Sequence, residues 1–195
     1  MNNSIATLTI VSLSPMSQSR QHTVPKLEGE RLDDYDARTW RDKLNLNYAG
    51  THVVIPAHGF QQAVAAAAKY SKRQIPGQGK ATWTAKFTAG LMLLADPEID
   101  TPLDKVFQVA ISANADGVRG SGKRVVRRFP MIPMGWTSTF EIHILDPIIT
   151  QPVMAEMLEI AGMFIGLGRF RPEKGGTNGR FRVQELTWDD NRKTV

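Results

Sequence analysis

The sequence predicts an α+β fold with helices on one face of an antiparallel sheet. Two segments carry helical periodicity, and several others alternate or are β-branched. Their order along the chain is strand, helix, several strands, helix, strand. The simplest template containing that order is the split βαβ pattern, β-α-β-β-α-β, of ferredoxin-like domains. A chain of 195 residues suits one domain, so residues 1–195 are read as a single unit with 16–50 as an insertion after the first strand.

Ile5 to Leu13 sets Ile5, Thr7, Thr9 and Val11 against Ala6, Leu8 and Ile10, and stops at Ser14-Pro15. That is a first strand. Residues 16–50 are polar and charged; within them Asp33 to Leu44 fits a short helix capped by Asp33 and burying Tyr35, Trp40 and Leu44. Thr51 to Ile55 is a short apolar segment stopped by Pro56. Ala57 to Tyr70 is alanine-rich, with Phe60, Val64 and Ala67 or Ala68 on one stripe, and reads as a helix. Lys69, Lys72 and Arg73 sit at its C-terminal end, where the macrodipole favours cations, and residues 75–80 form a basic turn ending at Lys80. Thr84 to Leu94, Val106 to Ala113, Lys123 to Phe129 and Thr137 to Leu145 read as strands. Thr150 to Ile165 is the second helix, with Thr150 as N-cap and Pro152 in the first turn. Val153, Met157, Ile160 and Phe164 form one apolar row, and Met154, Leu158, Ala161 and Ile165 its neighbour. Gly166 and Gly168 end it, and Arg180 to Trp188 is the last strand.

The formal charge of +5 favours anionic partners. There is no cysteine, which excludes disulfides, Cys-ligated zinc and thiol nucleophiles and suits a cytoplasmic location. The N-terminus lacks the pattern of a signal peptide, and no apolar run approaches membrane-spanning length, so no membrane partner is expected.

The candidate chemistry lies in two basic, glycine-rich stretches. From Phe164 to Val183 the chain reads as a helix end, a glycine-rich loop and a strand, with Arg-Phe-Arg triplets at Arg169–Arg171 and Arg180–Arg182. Glycine lets backbone approach a ligand, and arginine beside backbone amides suits a phosphate chain. The second stretch is Gly117 to Phe129. Its Gly117-Val-Arg-Gly-Ser-Gly-Lys123 approaches a nucleotide-hydrolase phosphate loop, but Arg124 stands where Ser or Thr is needed and strand-like residues follow in place of a helix. A nucleic-acid contact fits better. Arg119, Lys123, Arg124, Arg127 and Arg128 come within ten residues without an intervening acid. A strand there puts cations on both faces, which predicts an edge strand or protruding hairpin. Arg169, Arg171, Lys174, Arg180 and Arg182 complete the candidate nucleic-acid-binding set. Phe181 points to the opposite face from its flanking arginines and is expected in the core. Trp83, Trp136, Phe129 and Tyr70 are candidate stacking residues, although packing is the more ordinary role for each.

His22, His52, His58 and His143 have no metal-ligand spacing, and no nucleophile-elbow sequence occurs. No cofactor, metal or catalytic residue is assigned. An acidic cluster, Asp33, Asp34 and Asp36, leaves a metal-dependent ribonuclease as one alternative; an assembly or inhibitor protein that binds another protein is the second.

Two segments and the element order resemble the repeat-associated RNA-binding (RAMP) superfamily, specifically the backbone subunits of CRISPR effector complexes. Val54 to Val64, Val-Ile-Pro-Ala-His-Gly-Phe-Gln-Gln-Ala-Val, is similar to the family's Ile-Pro-Gly-Ser-Ser-Leu-Lys-Gly-Ala-Leu-Arg at the start of the first helix. Ala57 and His58 replace the glycine and serine there, and Gln61 or Gln62 the usual lysine. Gly166 to Gly179 is similar to the family's glycine-rich loop before the last strand. The resemblance implies a modified RNA-recognition-motif core and binding of single-stranded nucleic acid, with RNA favoured over DNA. It also implies self-association along the strand and partner subunits, in a CRISPR complex or in a stand-alone or virus-encoded relative. In the family's RNA-cleaving branch a catalytic aspartate lies before the first helix, in the region of Asp33, Asp34 and Asp36.

Overall fold

Strand β1, Ser4–Ser12, lies at the centre of the larger sheet in the computed structural model, which describes residues 4–114 and 124–190. Its alternation buries Ala6, Leu8 and Ile10 on one face. On the opposite face Thr9 and Thr139 share an exposed hydroxyl hydrogen bond of 2.9 Å. After β1 come a two-residue strand β2, Met16–Ser17, and helix α1, Leu32–Thr39, prolonged by a 3₁₀ turn to Lys43. Asp33 is not the cap: Arg31 holds that position without a side-chain bond, and Asp36, Thr39, Lys43 and Leu44 are buried in place of Tyr35 and Trp40.

Helix α2, Ala57–Ser71, begins after Pro56 and buries Phe60, Ala63, Val64, Ala67 and Ala68. Lys72, in the left-handed region at φ 53°, stops it. The expected strand over 84–94 is instead helix α3, Thr84–Ala89, followed by the two-residue strand β3, Leu91–Met92. Trp83 and Phe87 decide this. Four residues apart, they bury on one helical face with ring centroids 6.2 Å apart, and Gly90 closes the turn.

Strands β4, Phe107–Asn114, and β5, Arg124–Ile132, form an antiparallel ladder. Strand β6, Thr137–Ile144, returns to the larger sheet beside β1. Helix α4, Gln151–Ile160, starts at Thr150 and runs into a π-helical turn, Ala161–Ile165, before strand β7, Phe181–Asp189. The larger sheet has order β3-β6-β1-β7 and the smaller β2-β5-β4, with every pairing antiparallel. The architecture is α+β and compatible with an RNA-recognition-motif-like fold.

One core joins α2 and α4 to the larger sheet. Phe60 packs edge-on against Phe140 at 4.9 Å and near Phe181 at 6.1 Å. A Cβ at Gly162 would collide with the carbonyl of Phe181, so glycine lets the π turn lie on β7. Leu158 is fully buried in this core. Leu158→Ala is expected to cost about 2–5 kcal/mol, read as a lowered midpoint in thermal or urea unfolding.

The ladder is not the unguarded hairpin expected from its charges. β5 lies between β2 and β4, and α1 packs beside it. Arg127 Nε donates to Asp36 at 2.7 Å, and Arg128 reaches Asp33 at 3.2 Å. Acids 91 and 95 residues earlier thus supply what the local sequence lacks.

Candidate nucleic-acid interface

The face of α2 that carries Gly59, Gln62, Ala66 and Lys69 repeats every three or four residues, and its small residues leave space above the helix. That space is a groove of about 700 Å³. Its second wall is Ile165 to Arg169, and Gln18, Ser19, Arg20 and Asn45 close one end. Among the described residues four cations line it, Arg20, Lys69, Arg169 and Arg171, against a single acid, Glu173. Arg171 neutralises that acid through bonds of 2.7 and 2.9 Å.

The glycine-rich loop is a packed structure whose amides are used within itself and against Pro15 and Ser17. Leu167 N–H donates to the Gly179 carbonyl, Arg169 N–H to Ser17, Asn178 N–H to Phe170 and Gly179 N–H to Pro15. Phe170 adopts φ 57°, and a Cβ at Gly176 would overlap its carbonyl. Gly176→Ala is therefore expected to unseat the loop and its arginines while leaving the distant core intact. Amide hydrogen exchange checks this: faster exchange at Leu167, Arg169 and Asn178 with unchanged protection in α2 is the predicted pattern.

Arg169 holds the least ordinary position. Its guanidinium sits 4.3 Å from the Phe129 ring centroid and 4.9 Å from that of Phe170. Its Nε is buried without a hydrogen-bond partner, and Nη1 reaches only Ser19 Oγ at 3.4 Å. Lys43 Nζ lies 4.9 Å from the same Phe129 ring. Burial and the nearby Arg127 charge pull the Arg169 pKa down. Burial likewise lowers that of Lys43, against the pull of Asp36, with Arg127 and Arg169 adding to the burial effect. Lys43, Arg127 and Arg169 are thus close enough to feel one another, and Asp36 offsets the first two.

The sequence-derived set divides accordingly. Arg169 and Arg171 line the groove. Arg127 and Arg128 are tied to Asp36 and Asp33. Arg124 and Arg182 are exposed on their strands, and Lys174 is exposed beside Glu173 at 3.5 Å. Arg180 braces the loop, donating to the carbonyls of Met163 and Thr177. Arg119 and Lys123 lie outside the described residues. Of the cations at the C-terminal end of α2, Lys69 lines the groove, whereas Arg73 pairs with Glu156. Arg20 and Lys43 do not stand out in the sequence, because nothing local distinguishes them from the other cations of residues 16–50.

Among the stacking candidates, Trp83, Trp136 and Phe129 are buried. Tyr70 is 56% exposed and stacks at 5.3 Å and 16° on Phe164, itself 52% exposed rather than packed in its expected row. Among the described residues no group of three or more His, Asp or Glu is placed to hold a metal ion, and no helix is long and apolar enough to cross a membrane.

No family model and no curated protein matches the sequence. Among solved structures, the chain is similar over 96% of its length to a chain of the cryo-EM structure of the Type III-B Cmr-beta bound to cognate target RNA, at 13% identity and a TM-score of 0.57. It covers 61% of that neighbour, so it spans about three fifths of the neighbour's length. Cmr6 from Pyrococcus furiosus aligns over 94% of this chain and 100% of its own, at 10% identity and a TM-score of 0.47. The first likeness is one of fold alone.

Proposed function

We propose that the protein binds single-stranded RNA in the groove between α2 and the glycine-rich loop, holding the phosphate backbone with little regard to sequence. The observation that carries this is Arg169. Its guanidinium is held against two rings, makes only a long hydrogen bond to Ser19, and borders a groove whose remaining charge is positive. A phosphate oxygen in the groove is the acceptor that a guanidinium bordering it suits, while Nε itself is closed to solvent. Lys69 and Arg20 extend the positive wall, and Tyr70 with Phe164 offers exposed ring surface near the C-terminal end of α2 for unpaired bases. The order β3-β6-β1-β7, with α2 following β1 and α4 preceding β7, supports a ferredoxin-like reading of the core. RNA is preferred over DNA because the neighbouring fold was seen with target RNA.

The ribonuclease alternative is less favoured. Asp36 is buried and committed to Lys43, Arg127 and the Arg128 amide, which leaves it no free face for a metal. Purification without nuclease tests the proposal: RNA is expected to copurify, and fluorescence anisotropy should show a labelled single strand bound more tightly than its duplex. Equal or absent affinity for both would overturn it in favour of a protein partner.

A further inference from the structure

The two edges of the β4–β5 ladder are treated differently. On the β5 side, β2 pairs with Met131 and Ile132. Beyond it an ion pair takes the place of a strand. Arg128 N–H donates to Asp36 Oδ2 at 3.1 Å, and the Arg128 carbonyl accepts from Lys43 Nζ at 2.6 Å. Both groups of Arg128 thus point away from β4. In an antiparallel ladder, opposed residues share their hydrogen-bonding sense. Ala110, opposite Arg128, therefore turns its own N–H and carbonyl away from β5, toward the outer edge. Gln108 and Ser112, two residues either way, do the same. Pro130, opposite Gln108, has no N–H to give across the ladder, in agreement.

Among the described residues nothing pairs with the outer edge of Phe107 to Ser112. Its run Phe107-Gln-Val-Ala-Ile-Ser112 contains no charge and no proline, and its register with β5 is unbroken. Gln108, Ala110 and Ser112 are exposed, and so is Phe107. Edge strands are ordinarily guarded by charge, proline or a bulge. The long edge of the other sheet, β7, carries such guards in Arg182 and Glu185.

We infer that β4 is an interface at which a second copy of this chain adds its own β4, antiparallel, about a twofold axis at Ala110. The sequence is self-complementary in that register. Ala110 meets Ala110, Gln108 meets Ser112, and on the opposite face Val109 meets Ile111, so polar faces polar and β-branched faces β-branched. No like charges oppose each other within the paired strands. The symmetric contact closes on itself and joins the two three-stranded sheets into one. It does not require nucleic acid.

Position 110 gives a register-specific test, because a hydrogen-bonded pair on a twofold places the two Cα atoms about 5.5 Å apart, within disulfide range. The chain has no cysteine, so the background is clean. Nuclease-treated Ala110→Cys is expected to form a covalent dimer under mild oxidation, whereas Glu185→Cys on the β7 edge is not. Without cross-linking, sedimentation equilibrium should give the wild type twice the chain mass at high micromolar concentration. Ala110→Pro and Ala110→Lys, which block the edge without removing a ladder bond, should give the single-chain mass with unchanged circular dichroism. A monomeric wild type would overturn the inference, as would blocked variants as dimeric as the wild type or equal cross-linking at both positions. Each of these results leaves the RNA reading standing, since RNA is absent throughout.

Discussion

Alanine at Asp36 is expected to cost about 3–5 kcal/mol of stability. The Asp36 side chain is fully buried and accepts from Lys43 Nζ at 3.0 Å, Arg127 Nε at 2.7 Å and Arg128 N–H at 3.1 Å. Its loss leaves the buried Lys43 ammonium without a counter-charge and frees the edge of β5. For a chain of this size the melting temperature should fall by on the order of 10 °C. Asp36→Leu combined with Lys43→Met should be less damaging than Asp36→Ala alone, because it removes both charges together. A wild-type melting temperature for Asp36→Ala would contradict the arrangement. The pH dependence follows from the same contacts. Burial pushes the Asp36 carboxyl up, but Lys43, the Arg128 amide and Arg127 together hold it below its ordinary 3.8. A carboxyl lowered by folding contributes stability fully above its unfolded value. That contribution is lost as pH falls below 3.8 and through the lower folded value. Urea midpoints measured downward from neutrality should therefore drop in that acid window, and the drop should shrink in the Asp36→Leu, Lys43→Met variant.

Removing Lys69 and Arg169 together should weaken RNA binding for all sequences alike, by on the order of tenfold for each charge-assisted hydrogen bond to phosphate that disappears. The salt dependence is the sharper readout. Each phosphate neutralised on a single strand contributes about 0.7 to the slope of log K against log salt, so Lys69→Ala with Arg169→Ala should reduce it by about 1.4. Lys105→Ala, an exposed cation outside the groove, should leave the slope unchanged. Arg171→Ala should matter less than Arg169→Ala, because Arg171 is already held by Glu173 and the Gly168 carbonyl. Filter binding across a salt series decides this, and an unchanged slope in the double variant would place the phosphates elsewhere.

The elements that sequence reasoning recovers are those whose burial is periodic within one segment. β1 buries its alternate residues, α2 its alanine-lined stripe, and Phe181 turns inward between two arginines. What escapes it depends on contacts across the chain or on a local change of period. Thr84 to Leu94 is rich in threonine and aromatic residues and reads as a strand, yet the Trp83–Phe87 contact makes it helical. Phe164 belongs to an apolar row only while the α-helical repeat continues. The π turn over Ala161–Ile165 changes that repeat, and Phe164 turns out to meet Tyr70. The same limit applies to the candidate site. The two basic stretches are visible in the sequence, but not the approach of Arg127 to Arg169, nor the engagement of Arg127 by Asp36. That partnership spans 91 residues and leaves no local mark.

Photo-cross-linking of bound single-stranded RNA, followed by mass spectrometry of the adducted peptides, locates the strand on the protein. Adducts are expected on the α2 peptide containing Lys69 and Tyr70 and on the peptides spanning Phe164 to Glu173, all suppressed when Lys69 and Arg169 are replaced. Adducts confined to the exposed strands β4 and β7, with none on either groove wall, would contradict RNA binding in the groove.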